Sequence, residues 1–142
     1  MSALTSLRFV IDTNVVFEGL TRRISPAGLI IDSWRAGRFR VCVANALAYE
    51  YADVLSRKLS SARWERIRPL LGDLIDRANP VVVYYTWRPM SPDPGDQHVI
   101  DCAMNAGAIV ITENTRDFRM ARESLGLQVL TPLQLLQVLA NK

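Results

Sequence analysis

The chain has 142 residues, 49% of them hydrophobic, and a net charge of +3. That length suits a single domain spanning 1–142, and no run approaches the roughly 20 apolar residues of a membrane span, which excludes a membrane protein. Two cysteines, Cys42 and Cys102, and one histidine are too few for a Cys/His zinc site. The thiols sit in apolar runs and read as buried groups of a reducing compartment. Residues 1–6 lack the basic and apolar regions of a secretion signal, so the expected location is the cytoplasm. Fifteen of the 17 basic residues are arginine, and ten of the 17 fall between Arg22 and Arg68. Arginine forks match phosphate, so this bias points to a positive face and a nucleic-acid partner, although solvated helix surface explains it equally well.

The first apolar run, 7–11, reads as a buried strand, followed at once by Asp12, Thr13 and Asn14. A turn is expected around 17–25, then a helix with Pro26 in its first turn, Leu29 and Trp34 on its apolar face, and Gly37 as its stop. Residues 39–43 read as a second strand. Asn45 is the expected cap of a helix running to about Lys58 with Glu50 near its start. A further helix starts at Ser60 or Ser61, with Pro69 a site for a kink. Pro80 closes that region, and 81–85 is β-like. Residues 88–95 are rich in proline and read as a loop. A helix follows over 96–106, then a strand over 108–112, a short helix or turn over 116–125, a last strand over 128–130 and a terminal helix over 132–140. Strands alternating with helices imply right-handed crossovers and a mainly parallel sheet covered on both faces.

Asp12, Glu50, Asp96 and Asp117 each adjoin a strand end or a helix start, positions that converge on one edge of a doubly wound sheet. Carboxylates gathered within about 4–6 Å repel, so they need protons or a cation. Oxygen donors alone suit Mg²⁺ or Mn²⁺, and such an ion polarises a phosphoryl oxygen and acidifies water. The chemistry implied is phosphodiester hydrolysis. Each acid also has a plainer role: Asp12 as a turn cap, Glu50 as helix surface, Asp117 as a cap, and Asp93 or Asp96 as the favoured negative charge of a helix start. Asp101 lies about 140° round the helix from Asp96 and is expected to face elsewhere. Asp32 and Asp53 read as surface charges, and His98 carries no assigned role.

In order along the chain, these residues resemble PIN-domain nucleases. Val10-Ile11-Asp12-Thr13-Asn14-Val15 looks like the family's opening. Glu50 within Ala48-Tyr49-Glu50-Tyr51 looks like its second acid, and Asp96 within Asp96-Gln97-His98-Val99 like its third. The segment from Gly107 to Phe118 is similar to the strand and turn that hold the last polar group. The resemblance implies a three-layer α/β/α sandwich with four to five strands, Mg²⁺ or Mn²⁺ dependence and ribonuclease activity. Many small relatives are toxins silenced by an antitoxin and often dimeric, so an antitoxin and a homodimer are expected partners beside the RNA substrate. On this pattern Asp12, Glu50 and Asp96 hold metal and Asn14 accompanies the first acid.

Many relatives carry Thr-Gly-Asp where this chain has Thr112-Glu113-Asn114. Others carry an Asn there and an Asp-Phe three residues later, as with Asn114 and Asp117-Phe118. The fourth acid is therefore assigned to Asp117, with Asn114 as a water or metal contact, Glu113 as a weaker candidate and Thr112 as a donor to an acid or phosphate. Asp93 competes with Asp96 for the third position. Arg22, Arg23, Arg116 and Arg119 are the expected RNA contacts. Phosphatases of the haloacid-dehalogenase type and phosphate-receiver domains both need a late lysine, and only Lys58 and Lys142 are present. The non-enzyme alternative is a catalytically silent PIN-like RNA-binding or protein-interaction module.

Overall fold

The computed structural model describes residues 7–87 and 90–141. Its centre is a five-stranded parallel sheet in the order β3-β2-β1-β4-β5, formed by β1 (Arg8–Ile11), β2 (Arg40–Ala44), β3 (Asn79–Val81), β4 (Ile109–Ile111) and β5 (Val129–Leu130). The chain builds the sheet outward from β1 in one direction through β3, then returns to the other flank of β1 for β4 and β5. Phe9 is in register with Val41 on one side and Ile109 on the other. Phe9, Val10 and Ile11 are buried, as expected of a strand covered on both faces. Helices α1 (Thr13–Thr21), α2 (Pro26–Arg35), α3 (Asn45–Lys58), α4 (Ser61–Arg77), α5 (Asp96–Ala106), α6 (Arg119–Leu125) and α7 (Pro132–Ala140) complete the α/β/α sandwich. Among the described residues no helix is long and apolar enough to cross a membrane.

Several elements depart from the sequence expectations, each for a physical reason. Residues 13–21 form helix α1, where a turn was expected farther along. Thr13, Val15 and Val16 are β-branched and Gly19 is a poor helix former, so local propensity argues against it. Tertiary packing overrides that preference: Val15, Val16 and Leu20 are buried against the core. Gly19 is what lets α1 approach α2, because a Cβ there would lie 2.3 Å from Ile31 and 2.7 Å from the Ala27 carbonyl. Asn45 is the first residue of α3 rather than its cap; Ala44 holds the cap position with no side-chain bond. Helix α4 runs through Pro69 without a break.

Strand β3 lies at 79–81, earlier than the β-like run at 81–85. Residues 82–87 do not continue the strand; the Tyr84 and Tyr85 amides donate instead to the side chain of Asn105 on α5 at 2.9 and 3.2 Å. The loop expectation holds for 90–95, while Arg88 and Pro89 lie outside the described residues. At the other end of the chain, 115–118 form a 3-10 turn that leads into α6.

One buried bond ties α3 to the central strand. Tyr51, fully buried, donates its hydroxyl to the carbonyl of Ile11, the last residue of β1. Glu50 and Asp12 are the chain neighbours of these two partners, so the bond sets the spacing of two acids. Tyr51→Phe leaves the Ile11 carbonyl without that donor, and an orphaned buried acceptor costs about 1–3 kcal/mol. Urea unfolding should report a loss in that range.

Candidate active site

At the C-terminal ends of the strands, beside the point where β1 has β2 on one side and β4 on the other, a hollow of about 200 Å³ opens. It is lined by Asp12, Glu50, Asp93 and Asp96, with Thr13, Asn14 and Gly95 between them and Arg57 and Lys58 at its rim. Doubly wound sheets place ligands at such a switch point. Asp12 reaches it by ending β1, its amide still in the sheet through a 2.9 Å bond to the Ile111 carbonyl. Glu50 comes from the second turn of α3. Asp96 is the first residue of α5, and Asp93 belongs to the preceding loop.

The two inner carboxyls are nearly closed off from solvent, Asp12 at 3% and Asp96 at 8% exposure. Each has one hydroxyl partner. Thr112, completely buried at the end of β4, donates to Asp12 Oδ2 at 2.7 Å. Ser91 in the loop donates to Asp96 Oδ2 at 2.8 Å. Burial nevertheless dominates: it raises the Asp12 carboxyl above its ordinary value, against the Thr112 bond and the Thr13 amide. Asp96 is pushed up to about 7, first by burial and then by the charges of Asp12, Asp93 and Asp117, with the Ser91 bond opposing. The Thr13 hydroxyl, also in the lining, is buried without a hydrogen-bond partner among the described residues. Gly95 lies between two of the acids: a Cβ there would be in ordinary contact with Glu50 Oε1 at 3.6 Å and Asp93 Oδ1 at 3.4 Å.

Asp12, Glu50 and Asp96 thus share one hollow, and so does Asp93, which stays exposed at its edge. Asn14 lines it as well. Asp117 does not; it sits in the 3-10 turn, but its charge acts on both Asp12 and Asp96. Glu113 and Asn114 are exposed, and the Asn114 amide donates to Thr112 Oγ1 at 3.0 Å, which aims that hydroxyl. Asp101 is buried and accepts from the Trp87 amide at 3.2 Å, away from the hollow. Asp32 and Asp53 form surface ion pairs with Arg23 and Arg57. Arg116 and Arg119, with Arg122, line a separate groove of about 570 Å³ beside α6, and Arg22 is exposed at the end of α1.

Three lining groups, and Ser91 behind Asp96, had no role in the sequence reading. Arg57 and Lys58 lie seven and eight residues after Glu50, and that helical spacing puts them on its face. Arg57 Nε is 2.9 Å from Asp53, and Lys58 Nζ sits 5.1 Å from the centre of the Phe17 ring. Thr13 was legible only as the neighbour of Asp12. Ser91 carried no signal, because its loop has no periodicity to place it.

The donors are all hard oxygens, two of them buried carboxyls and one an unpartnered hydroxyl, which is the chemistry of a small divalent cation. Among the described residues no three acidic, histidine or cysteine side chains stand close enough together to form a ready-made ligand set.

The Asp96 value fixes a pH dependence. Between its ordinary 3.8 and about 7, the folded carboxyl keeps a proton that the unfolded chain releases. Stability of the metal-free protein therefore falls as pH rises through that window. Asp96→Asn should flatten the decline in urea midpoint between pH 5 and pH 7.5, and an unchanged slope would contradict the assignment.

Comparison with known proteins agrees with this architecture. The sequence model described as "PIN domain" matches residues 8–116. No curated protein matches the chain in sequence. Among solved structures, VapBC2 from Rickettsia felis, bound to a DNA fragment from its promoter, is similar at a TM-score of 0.64 and 10% identity, covering 88% of this chain and 98% of that one. VapBC-1 from nontypeable Haemophilus influenzae gives 0.60 and 15%, covering 89% and 99%. FitAB bound to a DNA fragment gives 0.61 and 18%, covering 87% and 94%. At these identities the likeness is one of fold. The family model spans most of the chain, and it carries the conclusion that this protein belongs to the PIN domain family.

Proposed function

We propose that this protein is a Mg²⁺- or Mn²⁺-dependent endoribonuclease and the toxin of a toxin–antitoxin pair. The observation that carries the reading is the shared hollow in which Asp12 and Asp96 are buried beside Glu50 and Asp93. Asp12, Glu50 and Asp96 hold the cation; Asp117 adds negative charge from the next turn. When bound, the ion supplies electrophilic stabilisation of the phosphoryl group and acidification of the attacking water. Thr112 holds the Asp12 carboxylate in one orientation, and Ser91 does the same for Asp96. A cation held there would favour the charged form of both carboxyls, against the burial that raises them. Asn14 and the Thr13 hydroxyl are polar groups available to water or phosphate at the mouth.

The carboxylates repel a polyanion, so substrate binding needs positive charge nearby. Arg57 and Lys58 supply it at the rim, Arg116 and Arg119 on the α6 side, and Arg22 at the end of α1. Arg23 is held by Asp32 at 2.8 Å and Arg57 by Asp53 at 2.9 Å, so each contributes less than an unpaired cation. Family membership and the fold shared with chains of VapBC and FitAB complexes support an antitoxin as partner. The exposed Leu29 on α2 is an apolar contact for that antitoxin or for a second copy, whereas Trp34 is core and Trp64 half-buried. The two buried free thiols support the cytoplasm as the compartment.

A silent RNA-binding module is the second reading, favoured by the absence among the described residues of a pre-gathered ligand set. Cleavage of a labelled RNA separates the two. EDTA should abolish it, and Asp12→Asn or Glu50→Gln should lower the rate at least about 100-fold, about 2.7 kcal/mol of barrier, with an unchanged fold by circular dichroism. Metal-independent RNA binding with no cleavage would establish the silent module instead. The arginine assignment has its own measurement, made on Asp12→Asn. Removing one phosphate-contacting arginine should reduce the slope of log affinity against log salt by about 0.7 for single-stranded RNA. An unchanged slope for Arg22, Arg23, Arg116 and Arg119 alike would remove them from the interface.

A further inference from the structure

At the opposite end of the sheet, where the strands begin, a second hollow of about 410 Å³ lies among Arg8, Arg40, Asn79, Val82, Tyr84 and Asn105. Arg8 and Arg40 are register partners across β1 and β2, so their side chains leave the sheet on the same face. Arg8 is anchored by a 3.2 Å bond from Nη1 to the Ala106 carbonyl at the end of α5. Neither guanidinium takes part in an ion pair among the described residues, and no acidic residue lines the hollow. Both charges reach the Cys42 thiol two residues farther along β2, where they oppose the effect of burial. Like charges directly opposite on neighbouring strands destabilise a sheet. Two adjacent guanidinium forks without a counter-charge match the oxygens of one phosphate.

One aromatic side chain, Tyr84, lines this hollow. Tyr84 is 79% exposed, yet its backbone is fixed. Asn105 Oδ1 accepts from the amides of Tyr84 and Tyr85, and Asn105 Nδ2 donates to the Tyr85 carbonyl at 2.8 Å. The asparagine thus clamps the backbone that carries Tyr84, whose exposed ring lines the hollow. A ring of that kind is a stacking platform for a base.

We propose that this hollow binds a nucleotide unit, with its phosphate between Arg8 and Arg40 and its base against Tyr84. The site lies apart from the carboxylates and does not depend on their role. The nucleotide comes either as a free mononucleotide or as part of an RNA strand, and the test distinguishes these sources. Calorimetric titrations are run in EDTA with adenosine monophosphate, inorganic phosphate and a short oligoadenylate. Wild type should bind the monophosphate more tightly than phosphate alone. The double substitution Arg8→Gln/Arg40→Gln should weaken monophosphate and oligoadenylate at least about tenfold. Tyr84→Ala should weaken the monophosphate about 5- to 150-fold, the range of one base stack, and leave inorganic phosphate unchanged. Oligoadenylate binding much more tightly than the monophosphate identifies an RNA strand as the source, and equal affinities identify the free nucleotide.

Three results would overturn the assignment: no binding of either adenine ligand, equal binding by wild type and the double variant, or indifference to Tyr84→Ala. A folding readout guards against a damaged variant. Phosphate should raise the melting temperature of wild type but not of the double variant, which should itself melt no lower than wild type once the charge repulsion is gone. Because no cleavage is measured, an inactive protein leaves this test intact.

Discussion

The constraint on which the rest of the structure depends is the burial of the Asp12 carboxyl at the end of the central strand. Among the described residues no cation pairs with it; its direct support is the Thr112 hydroxyl at the end of β4 and the backbone at Thr13. A buried acid with so few partners is unfavourable as an anion and holds its proton more tightly. Asp96 is under the same pressure, increased by the charges around it. Both carboxyls are buried at the inner wall of the hollow, where solvent reaches them poorly. Such a pocket stores electrostatic free energy that a positive ligand releases on arrival.

The parts of the pocket differ in rigidity. Asp12 and Thr112 stand on adjacent strands of one ladder, and Tyr51 ties α3 to the same point. The Asp96 side is built from a loop. Gln97 holds it by accepting from the Met90 amide and donating to the Trp87 carbonyl, both at 2.6 Å, while the Asp93 side chain accepts from the Gly95 amide at 2.9 Å. One wall is therefore sheet and helix, and the other is a loop held by side-chain bonds together with the backbone turn at 93–97.

The strand and helix alternation was readable because parallel sheets need long apolar runs and crossovers, and 7–11, 39–43 and 108–112 supply them. The place of Asp12 at the sheet edge was readable for the same reason, since it directly follows a buried run, whereas Glu50 and Asp96 rested on the order of motifs along the chain. Helix α1 was not, since its formation rests on Gly19 admitting Ile31 and Ala27, a contact between elements. The true position of β3 was hidden for a similar reason. Residues 82–85 have the composition of a strand, but the competing acceptor is a side chain twenty residues away. Ser91 and the partner of Asp101 likewise depend on how the loop folds back, which no periodicity encodes.

Pro80 has a consequence beyond β3 itself. This strand forms the outer margin of the sheet, and proline is tolerated within a strand only where its missing amide would face outward. The margin thus lacks a donor where a neighbouring molecule would begin to add its own strand. Beyond it, Asn105 occupies the amides of Tyr84 and Tyr85. A chain with a hydrophobic, β-prone run at its border is in this way guarded against edge-to-edge polymerisation and amyloid-like stacking.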